Sequence, residues 1–456
     1  MFNNKKVLIL GLARSGYSAA LILHKLNCNI IVNDYNAEDK LNKQQIDKLK
    51  ELGIKCIFGS HPNDLLDNSF DYIIKNPGIR NDHKYVILAN ELNIPVINEV
   101  ELAYNLLPKD VTLISITGSN GKTTTTTLTY NILKSAGLPV HLAGNIGYPM
   151  CSILNKVKKG DIIVSEISCQ QLANIDKFRP NIALLTNLSP AHIDFFGSFE
   201  KYKEIKKRLF KNQTDSDFAI INFDNIDSLE KTKDIKANKL YFSLNKKKDC
   251  YYKDNNFYYN DEFIMNRDKM FLKGNHNVSN ALGAILIAKK FGISNKVIES
   301  VLESFRGVEH RLEYVDKINN ITFYNDTEAT NIKCTQIALA SFNNPIILFL
   351  GGLERGQNFD DLKDYLKNVK TIICIGECRN RVKEFADRYN IENYIFEHLK
   401  DGFKKSLEVA RENDLVLLSP ASASWDQYKE CEERGLEFKN LVMEYKKEKE
   451  KENGNN

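Results

Sequence analysis

The sequence predicts an α/β protein of three domains. Short apolar runs alternate with helical patterns along its 456 residues, which is typical of parallel sheets covered by helices. A chain of this length is also expected to form about three domains. One turn-rich, aromatic stretch at 239–265 interrupts the alternation and indicates small antiparallel hairpins. We therefore expect Rossmann-like N- and C-terminal domains around a central domain whose sheet is mostly parallel.

The first domain is predicted over 1–108, since Pro108 follows a helical pattern and marks a boundary. Its predicted strands are 6–11, 29–34 and 71–78, and its predicted helices are 16–26 and 99–108. The central domain is predicted over 109–308, with near-continuous apolar strands at 111–117, 161–168, 181–189 and 217–224. A strong helix is expected at 277–292.

The third domain is predicted over 309–446, with strands at 321–326, 345–352, 371–376 and 414–420. The remaining tail, 447–456, has no apolar face and is expected to be disordered.

Composition excludes several classes of protein. The 63 basic and 59 acidic residues give a net charge of only +4, which argues against nucleic acid as a partner. No apolar run is long enough to span a bilayer, and the N-terminal run is too short for a secretory signal. The nine scattered cysteines form no Cys-x-x-Cys pair and fit reduced thiols. A cytoplasmic protein without membrane insertion is the prediction.

The stretch GSNGKT at 118–123 lies between a predicted strand and a helical segment. Such a loop directs backbone N–H groups at an anion, at the positive end of the helix. Lys122 would reach the outer phosphates and the Thr123 hydroxyl would bind Mg²⁺. The alternative is an ordinary tight turn, which the β-branched threonine run after it favours. We prefer a P-loop-type nucleotide site, in which the first threonine hydroxyls serve the ligand.

A second glycine loop, GLARSG at 11–16, follows the first strand. It matches the dinucleotide fingerprint except at Ala13, where a glycine normally lets a pyrophosphate approach the backbone, and Asp34 ends the next strand. Ala13 argues against bound NAD, so a Rossmann dehydrogenase is the least favoured reading of the chain.

The phosphate loop lacks the usual glycine five residues before Gly121, where Ile116 stands. In this shorter form, TGSNGKTT, it resembles the Mur ligases and folylpolyglutamate synthases, which use ATP to join an amino acid to a carboxylate. Further stretches resemble the D-glutamate-adding branch of the Mur ligases: GNIGYP (144–149), SEISCQQL (165–172), HIDFFGSFEKYKEIKKRLF (192–210), GNHNVSNALGA (274–284), VEHRLEYV (308–315), FYNDTEATN (323–331), LGGLERGQNFDDL (350–362) and LLSPASASWDQY (417–428). The DNPR and HHPTE stretches of other branches are absent from the sequence.

The resemblance implies a monomeric enzyme of peptidoglycan precursor synthesis. It would add D-glutamate to UDP-N-acetylmuramoyl-L-alanine through an acyl phosphate, with ATP and two Mg²⁺ ions. The catalytic residues implied are Lys122, Glu166, His192, Lys206 and Asp326, and the metal site would use Thr123, Glu166, His192 and Lys206.

Lys206 matches a lysine that is carbamylated in the family and acts as an anionic group of the metal site. An amine must be neutral to react with CO₂. We expect the neighbouring charges of Lys203, Lys207 and Arg208 to favour the neutral form by repulsion. The alternative is a solvated cationic helix face.

The resemblance also implies the binding residues. ATP would contact Gly118, Ser119, Asn120, Gly121, Lys122, Thr123, Thr124, Asn280, Arg311 and Asp326, with a hinge near 307–310. The UDP part would lie against Ala13, Arg14, Ser15, Asp34, Asn76 and Gly78, and the lactyl-alanyl end against Asn145, Ser168 and Gln171. The incoming glutamate would meet Thr330, Arg355 and Ser424.

Two positions depart from the family pattern. Glu328 replaces a lysine beside the reacting carboxylates, and Cys431 stands where some relatives have an aromatic residue. The alternatives are therefore the same chemistry on another amino acid or a folate, and a nucleotide-binding homologue that has lost ligase activity. The GLARSG domain argues against a folate substrate.

Overall fold

The computed structural model describes residues 2–191, 193–272 and 274–454. The chain forms two compact units, Met1–Phe305 and Arg306–Asn456. The first unit contains a five-stranded and a nine-stranded sheet, and the second contains a six-stranded sheet.

The N-terminal sheet is entirely parallel, with the strand order β3-β2-β1-β4-β5. Its strands are β1 (Lys6–Leu10), β2 (Asn29–Asp34), β3 (Lys55–Phe58), β4 (Tyr72–Lys75) and β5 (Val96–Ile97), and its helices are α1 (Arg14–Lys25), α2 (Lys43–Glu51), α3 (Lys84–Glu91) and α4 (Glu99–Leu106). The order of connection reverses between β1 and β4. The carboxyl ends of these two strands therefore flank a crevice, which is where ligands bind in open α/β sheets.

The central sheet has the order β14-β13-β12-β11-β10-β9-β6-β8-β7. Its strands are β6 (Thr112–Thr117), β7 (Val140–Gly144), β8 (Ile162–Glu166), β9 (Ile182–Leu185), β10 (Phe218–Asn222), β11 (Asn238–Ser243), β12 (Cys250–Lys253), β13 (Asn256–Tyr259) and β14 (Glu262–Asn266). Its helices are α5 (Lys122–Ser135), α6 (Met150–Ile153), α7 (Cys169–Leu172), α8 (Ile193–Phe196), α9 (Phe199–Lys207), α10 (Ile226–Lys231), α11 (Asn275–Lys290) and α12 (Asn295–Ser304). The hairpins expected at 239–265 are β12–β14. The prediction was wrong for β11, which pairs in parallel with both neighbours and so extends the main sheet.

Helix α4 joins the two sheets of the first unit. A single apolar core extends from Val7 in β1 to Leu185 in β9. The buried Glu101 carboxylate of α4 accepts three backbone N–H groups, from residues 176–178, at 2.8–3.0 Å. Without Glu101 these three N–H groups would be buried without hydrogen-bond partners. Cutting the chain after α4 would therefore expose the shared apolar core and break the bonds that the Glu101 side chain makes.

The second unit has the strand order β15-β16-β20-β17-β18-β19, and only β15 is antiparallel. Its strands are β15 (Glu313–Ile318), β16 (Ile321–Asn325), β17 (Ile346–Gly351), β18 (Val369–Ile375), β19 (Glu392–Ile395) and β20 (Leu415–Leu418). Its helices are α13 (Ile332–Ala340), α14 (Arg379–Arg388), α15 (Leu399–Val409) and α16 (Cys431–Gly454), with a 3-10 segment at Phe359–Asn368.

The predicted fold class is confirmed, and the limits of the three domains stay a prediction. The disordered tail is a correction, because α16 continues through Gly454. In the first half of this helix Phe438 and Val442 are fully buried, and Lys446 pairs with Asp316 at 2.9 Å. Within the described part of the chain, no helix combines the length and apolar character needed to cross a membrane. All nine cysteines are free thiols.

Candidate active site

The loop between β6 and α5 requires glycine at two positions. Gly118 and Gly121 have φ angles of +152° and +79°. A Cβ on Gly118 would lie 1.8 Å from Thr186 Oγ1, and one on Gly121 would lie 2.1 Å from Asn280 Oδ1. Both separations are shorter than any contact that a real Cβ makes. The loop is thus closely packed and immediately precedes the positive end of a 14-residue helix, an arrangement that suits phosphate.

Neighbouring loops hold this phosphate loop in place. The Ser119 hydroxyl donates to Ser189 O at 2.9 Å and lies 3.0 Å from the Tyr202 hydroxyl. The Asn120 N–H donates to Asn187 Oδ1 at 3.0 Å. Sequence reasoning missed Tyr202, a buried residue of α9, because an aromatic residue on an amphipathic helix carries no signal beyond packing.

The threonine run is accommodated by its own helix. Thr126, Thr127 and Thr129 each donate to the carbonyl four residues earlier, at 2.8, 2.9 and 2.8 Å. Such bonds satisfy the hydroxyls within the helix. The interpretation that threonine hydroxyls serve a ligand is therefore restricted to Thr123, Thr124 and Thr125, and the Thr125 hydroxyl is buried without a hydrogen-bond partner among the described residues.

Glu166, the last residue of β8, is 1% exposed. Its Oε1 accepts a hydrogen bond from Asn145 Nδ2 at 2.7 Å. Its Oε2 is buried and has no hydrogen-bond partner among the described residues. A buried carboxylate oxygen without a partner is costly, whereas Mg²⁺ prefers oxygen ligands. This residue therefore fits the predicted metal site.

Lys206 of α9 is also 1% exposed. Its Nζ donates to Thr117 Oγ1 at 3.2 Å, at the end of β6. Burial, with a further contribution from the positive charge of Lys122, lowers the pKa of this amine to about 7. Lys122 itself begins α5, and its Nζ donates to Ser119 O at 3.1 Å. A substantial neutral fraction of Lys206 is thus present at neutral pH.

The physical reason predicted for this neutral amine was wrong. Lys203 and Lys207, expected to repel Lys206, are paired with acidic side chains at 2.9 and 2.8 Å, and Arg208 is not among the causes of the shift. The main cause of the lowered pKa is the removal of the ammonium from water. The positive charge of Lys122 in the phosphate loop lowers the pKa further.

The other residues predicted around this corner have mixed outcomes. Ser168 and Gln171 form a capping box at the start of α7, in which each side chain accepts the other's backbone N–H, at 3.2 and 2.8 Å. They follow β8 directly and so lie at the edge of the sheet where Glu166 and Asn145 meet. His192 lies outside the described residues.

In the N-terminal sheet, the predicted nucleotide residues meet in the crevice between β1 and β4. Asp34 Oδ2 accepts the Leu12 N–H at 2.8 Å, and Asn76 donates to the Ser15 hydroxyl at 3.1 Å. The N–H of Gly78 donates to Asn76 Oδ1 at 2.9 Å. These bonds connect the glycine loop to the ends of β2 and β4.

Two neighbours complete this loop. Ala13 precedes α1, and Arg14 donates to Gly147 O at 2.9 Å, which connects the loop to the central sheet. Lys75, which begins the stretch KNPGI (75–79) predicted to surround the nucleotide, is 2% exposed at the end of β4. Burial lowers the pKa of its amine to about 8.

In the second unit, Asp326 follows β16 and is buried. Its Oδ1 accepts the Leu312 N–H at 3.1 Å and its Oδ2 accepts the Ser419 hydroxyl at 2.7 Å. Burial raises the pKa of this carboxyl to about 7. Nearby, Arg311 pairs with Glu328 at 3.5 Å, so the residue that departs from the family pattern neutralises a predicted phosphate contact.

The predicted glutamate residues lie on loops that follow three neighbouring strands, β16, β20 and β17. Thr330 follows β16, Arg355 follows β17 and Ser424 follows β20. The Ser424 hydroxyl is buried and has no hydrogen-bond partner among the described residues. The guanidinium carbon of Arg355 lies 4.6 Å from the centroid of the Trp425 ring.

Arg434 of α16 holds two of these loops by hydrogen bonds, and sequence reasoning did not find it. It is 1% exposed. It donates to Thr327 Oγ1, Thr327 O and Ser422 O at 3.0–3.1 Å. Burial lowers the pKa of its guanidinium to about 10. In the sequence this arginine is one charge among many in a polar helix, so nothing distinguishes it.

Comparison with known proteins identifies a family that matches both the domain with the glycine loop and the domain with the phosphate loop. Family models match three consecutive segments: the Mur ligase MurD-like N-terminal domain over 5–98, the Mur ligase middle domain over 116–288 and the Mur ligase glutamate ligase domain over 310–422. The chain belongs to the Mur ligase family. Two curated Mur ligases are named UDP-N-acetylmuramoylalanine–D-glutamate ligase. That of Lactococcus lactis is 45% identical, covering 95% of this chain and 96% of its own. That of Streptococcus agalactiae is 46% identical, covering 96% of both chains.

Solved Mur ligases share the fold at low identity. The UDP-N-acetylmuramate–alanine ligase of Thermotoga maritima superimposes with a TM-score of 0.55 at 18% identity, covering 95% of this chain and 98% of its own. The UDP-N-acetylmuramoylalanyl-D-glutamyl-2,6-diaminopimelate–D-alanyl-D-alanyl ligase of Acinetobacter baumannii gives 0.52 at 16% identity, covering 91% and 90%.

Proposed function

We propose that this Mur ligase is an ATP-dependent UDP-N-acetylmuramoylalanine–D-glutamate ligase. It would join the amine of D-glutamate to the alanyl carboxylate of UDP-N-acetylmuramoyl-L-alanine and release ADP and phosphate. The observation that carries the proposal is the meeting of the glycine-dependent phosphate loop with buried Glu166 and Lys206 at one edge of the central sheet. The names of relatives at 45–46% identity over nearly the whole chain support the choice of substrates.

The chemistry explains why these groups are needed. A carboxylate is a poor electrophile, and transfer of the ATP γ-phosphate converts it into an acyl phosphate that an amine can attack. Transfer between two anions needs positive charge and a fixed geometry. Lys122 begins the helix behind the loop and supplies one fixed charge. Glu166, through its unpartnered Oε2, would hold Mg²⁺, which would reduce the negative charge on the phosphate oxygens.

Lys206 is proposed to act as a carbamate. Its neutral amine would attack CO₂, forming an N–C bond and releasing one proton, so that a buried neutral group becomes an anion. Burial favours the first step, because it lowers the amine pKa to about 7. The carbamate would then offer oxygen atoms to a second Mg²⁺, beside Glu166, with His192 as a further proposed ligand.

The substrate would lie along the first unit. Its UDP part would occupy the crevice around Asp34 and Asn76, whose side chains already connect the loops there. Its alanyl end would reach Asn145 beside Glu166. The ATP contacts of Asn280, Arg311 and Asp326, and the glutamate contacts of Thr330, Arg355 and Ser424, belong to the same proposal. A monomer is proposed as well.

Phosphate release from ATP and Mg²⁺ tests the function. The protein is assayed with UDP-N-acetylmuramoyl-L-alanine and D-glutamate, L-glutamate or no amino acid, and the product mass is measured. Release that depends on D-glutamate, with a product one glutamyl residue heavier, is expected. Release with L-glutamate or another amino acid alone would reject the substrate, and ATP binding without release would favour the nucleotide-binding homologue.

Two lysine variants separate the catalytic role of Lys206 from a structural one. Lys206→Ala should nearly abolish phosphate release. Lys207→Ala should keep it, because Lys207 lies on the same helix as Lys206 but near the surface, where it pairs with Asp234. Addition of a short-chain carboxylic acid to Lys206→Ala should restore part of the activity. Full activity of Lys206→Ala would reject the carbamate.

A further inference from the structure

Trp425 is the only tryptophan of the chain, and 56% of it is exposed. A large ring of this kind is normally buried or in contact with a partner. It follows Ser424, which is 1% exposed, at the carboxyl edge of the second unit's sheet. Among the described residues, its one cation–ring contact is with Arg355, whose guanidinium carbon lies 4.6 Å from the ring centroid.

The two loops that carry this pair are joined by hydrogen bonds. The Leu353 N–H donates to Ala423 O at 2.8 Å, and Gln357 Nε2 donates to Ser422 Oγ at 2.6 Å. A Cβ on Gly352 would lie 2.4 Å from Ala423 O, so the loops are in contact there. The stack is therefore supported by fixed backbone on both sides.

Arg355 keeps its charge available for a ligand. Among the described residues, no carboxylate lies within ion-pairing distance of its guanidinium. The adjacent Glu354 is occupied by Arg381 and by the Gly356 N–H. A guanidinium that stacks on a ring uses its face, and its in-plane N–H groups stay able to grip a carboxylate with two parallel bonds.

We propose that Trp425 is a positioning residue for the amino-acid substrate, which acts by holding Arg355 in the orientation that receives the side-chain carboxylate of glutamate. The inference rests on the proposed function, since it assigns the use of one of its binding residues. An arginine on a flexible stem would otherwise lose rotamer entropy each time it bound the carboxylate. The ring removes part of that cost before the substrate arrives.

The test measures KM and kcat at saturating ATP, Mg²⁺ and UDP-N-acetylmuramoyl-L-alanine for wild type, Trp425→Leu and Trp425→Phe. An exposed cation–ring contact predicts that Trp425→Leu raises KM for D-glutamate by about two- to fivefold. The value of kcat and the KM for ATP should stay unchanged, and Trp425→Phe should restore most of the affinity. Unchanged KM for D-glutamate, or a loss confined to kcat, overturns the inference.

A double-variant cycle tests whether the ring acts through Arg355. Arg355→Lys keeps the charge but loses the planar fork, and it should raise KM for D-glutamate by itself. Adding Trp425→Leu to it should cause little further loss, whereas multiplying effects would show independent action and overturn the inference. A matched control is Tyr394→Leu, which removes another cation–ring pair of the same unit, at 4.5 Å from Lys405, and should leave KM unchanged.

Fluorescence gives a readout that a purely structural role would not move. Because Trp425 is the only tryptophan, its emission reports this site alone. D-glutamate added with the UDP substrate and a non-hydrolysable ATP analogue should change the emission, and L-glutamate at the same concentration should change it less. Unchanged emission overturns the inference. Failure of the proposed function is distinguishable, because it appears in the wild type as absence of D-glutamate-dependent phosphate release.

Discussion

Replacing Lys206 by methionine should stabilise the protein while removing its activity. The variant keeps the length of the side chain and removes the charge from a site that is 1% exposed. In the folded protein the amine has a pKa of about 7, against 10.5 for an ordinary lysine, mainly because of burial. At about 1.4 kcal/mol per pH unit this difference corresponds to a penalty of about 5 kcal/mol against folding.

The penalty depends on pH in a definite direction. Between pH 7 and 10.5 the unfolded chain binds the proton and the folded protein does not, so stability rises with pH. Below pH 7 both states are protonated and the whole penalty remains. At pH 7 the folded amine is half deprotonated and about 4 kcal/mol remains, and at pH 9 about 2 kcal/mol remains, so the wild type should gain about 2 kcal/mol relative to Lys206→Met between pH 7 and 9.

Urea unfolding followed by far-UV circular dichroism, in CO₂-free buffer at pH 6, 7, 8 and 9, measures this difference. Lys207→Met is the control, because that lysine is paired with Asp234 near the surface. The control should follow the wild type at every pH. Equal pH dependence of wild type and Lys206→Met would refute the reasoning, and so would a variant less stable than the wild type at pH 6.

Three further substitutions test the other buried or constrained groups. Gly121→Ala places a Cβ 2.1 Å from Asn280 Oδ1 at a φ of +79°, and should lower D-glutamate-dependent phosphate release by about 100-fold or more, measured at saturating ATP. The wild type should show a fall in melting temperature between about pH 4 and 7, because in this range the unfolded carboxyl of Asp326 ionises while the folded one, with a pKa of about 7, stays protonated. Asp326→Asn should remove this fall. Arg434→Lys should destabilise the protein by about 2–4 kcal/mol, since the ammonium cannot reproduce the three bonds to Thr327 and Ser422; equal denaturant midpoints would contradict this.

The sequence predicted the fold class because long apolar strands and their turns are local features. Short half-exposed strands such as β3 and β19 were missed, since their burial comes from neighbouring strands rather than from their own pattern. The direction of β11 was also predicted wrongly. An aromatic strand of this length pairs either way, and the choice depends on β10, which precedes it by a full helix.

Motif spacing located the phosphate loop and the glycine loop, because both depend on glycines at fixed positions. It did not reveal Arg434 or Tyr202, whose roles come from burial against loops distant in sequence. The origin of the Lys206 pKa was missed for the same reason. Adjacent residues suggested repulsion, but the ion pairs that neutralise Lys203 and Lys207 involve residues of the next helix and the turn after it.

The bonds of Glu101 to residues 176–178 and the apolar core around α4 have a consequence for substrate choice. They join the crevice of the first sheet and the phosphate loop of the second within one compact unit. The span between the two loops is then a property of the protein, set before any ligand arrives. If the substrate binds as proposed, the first unit would select it by length: a nucleotide-linked acid of the right length would reach both loops at once, and a shorter or longer one would reach only one of them.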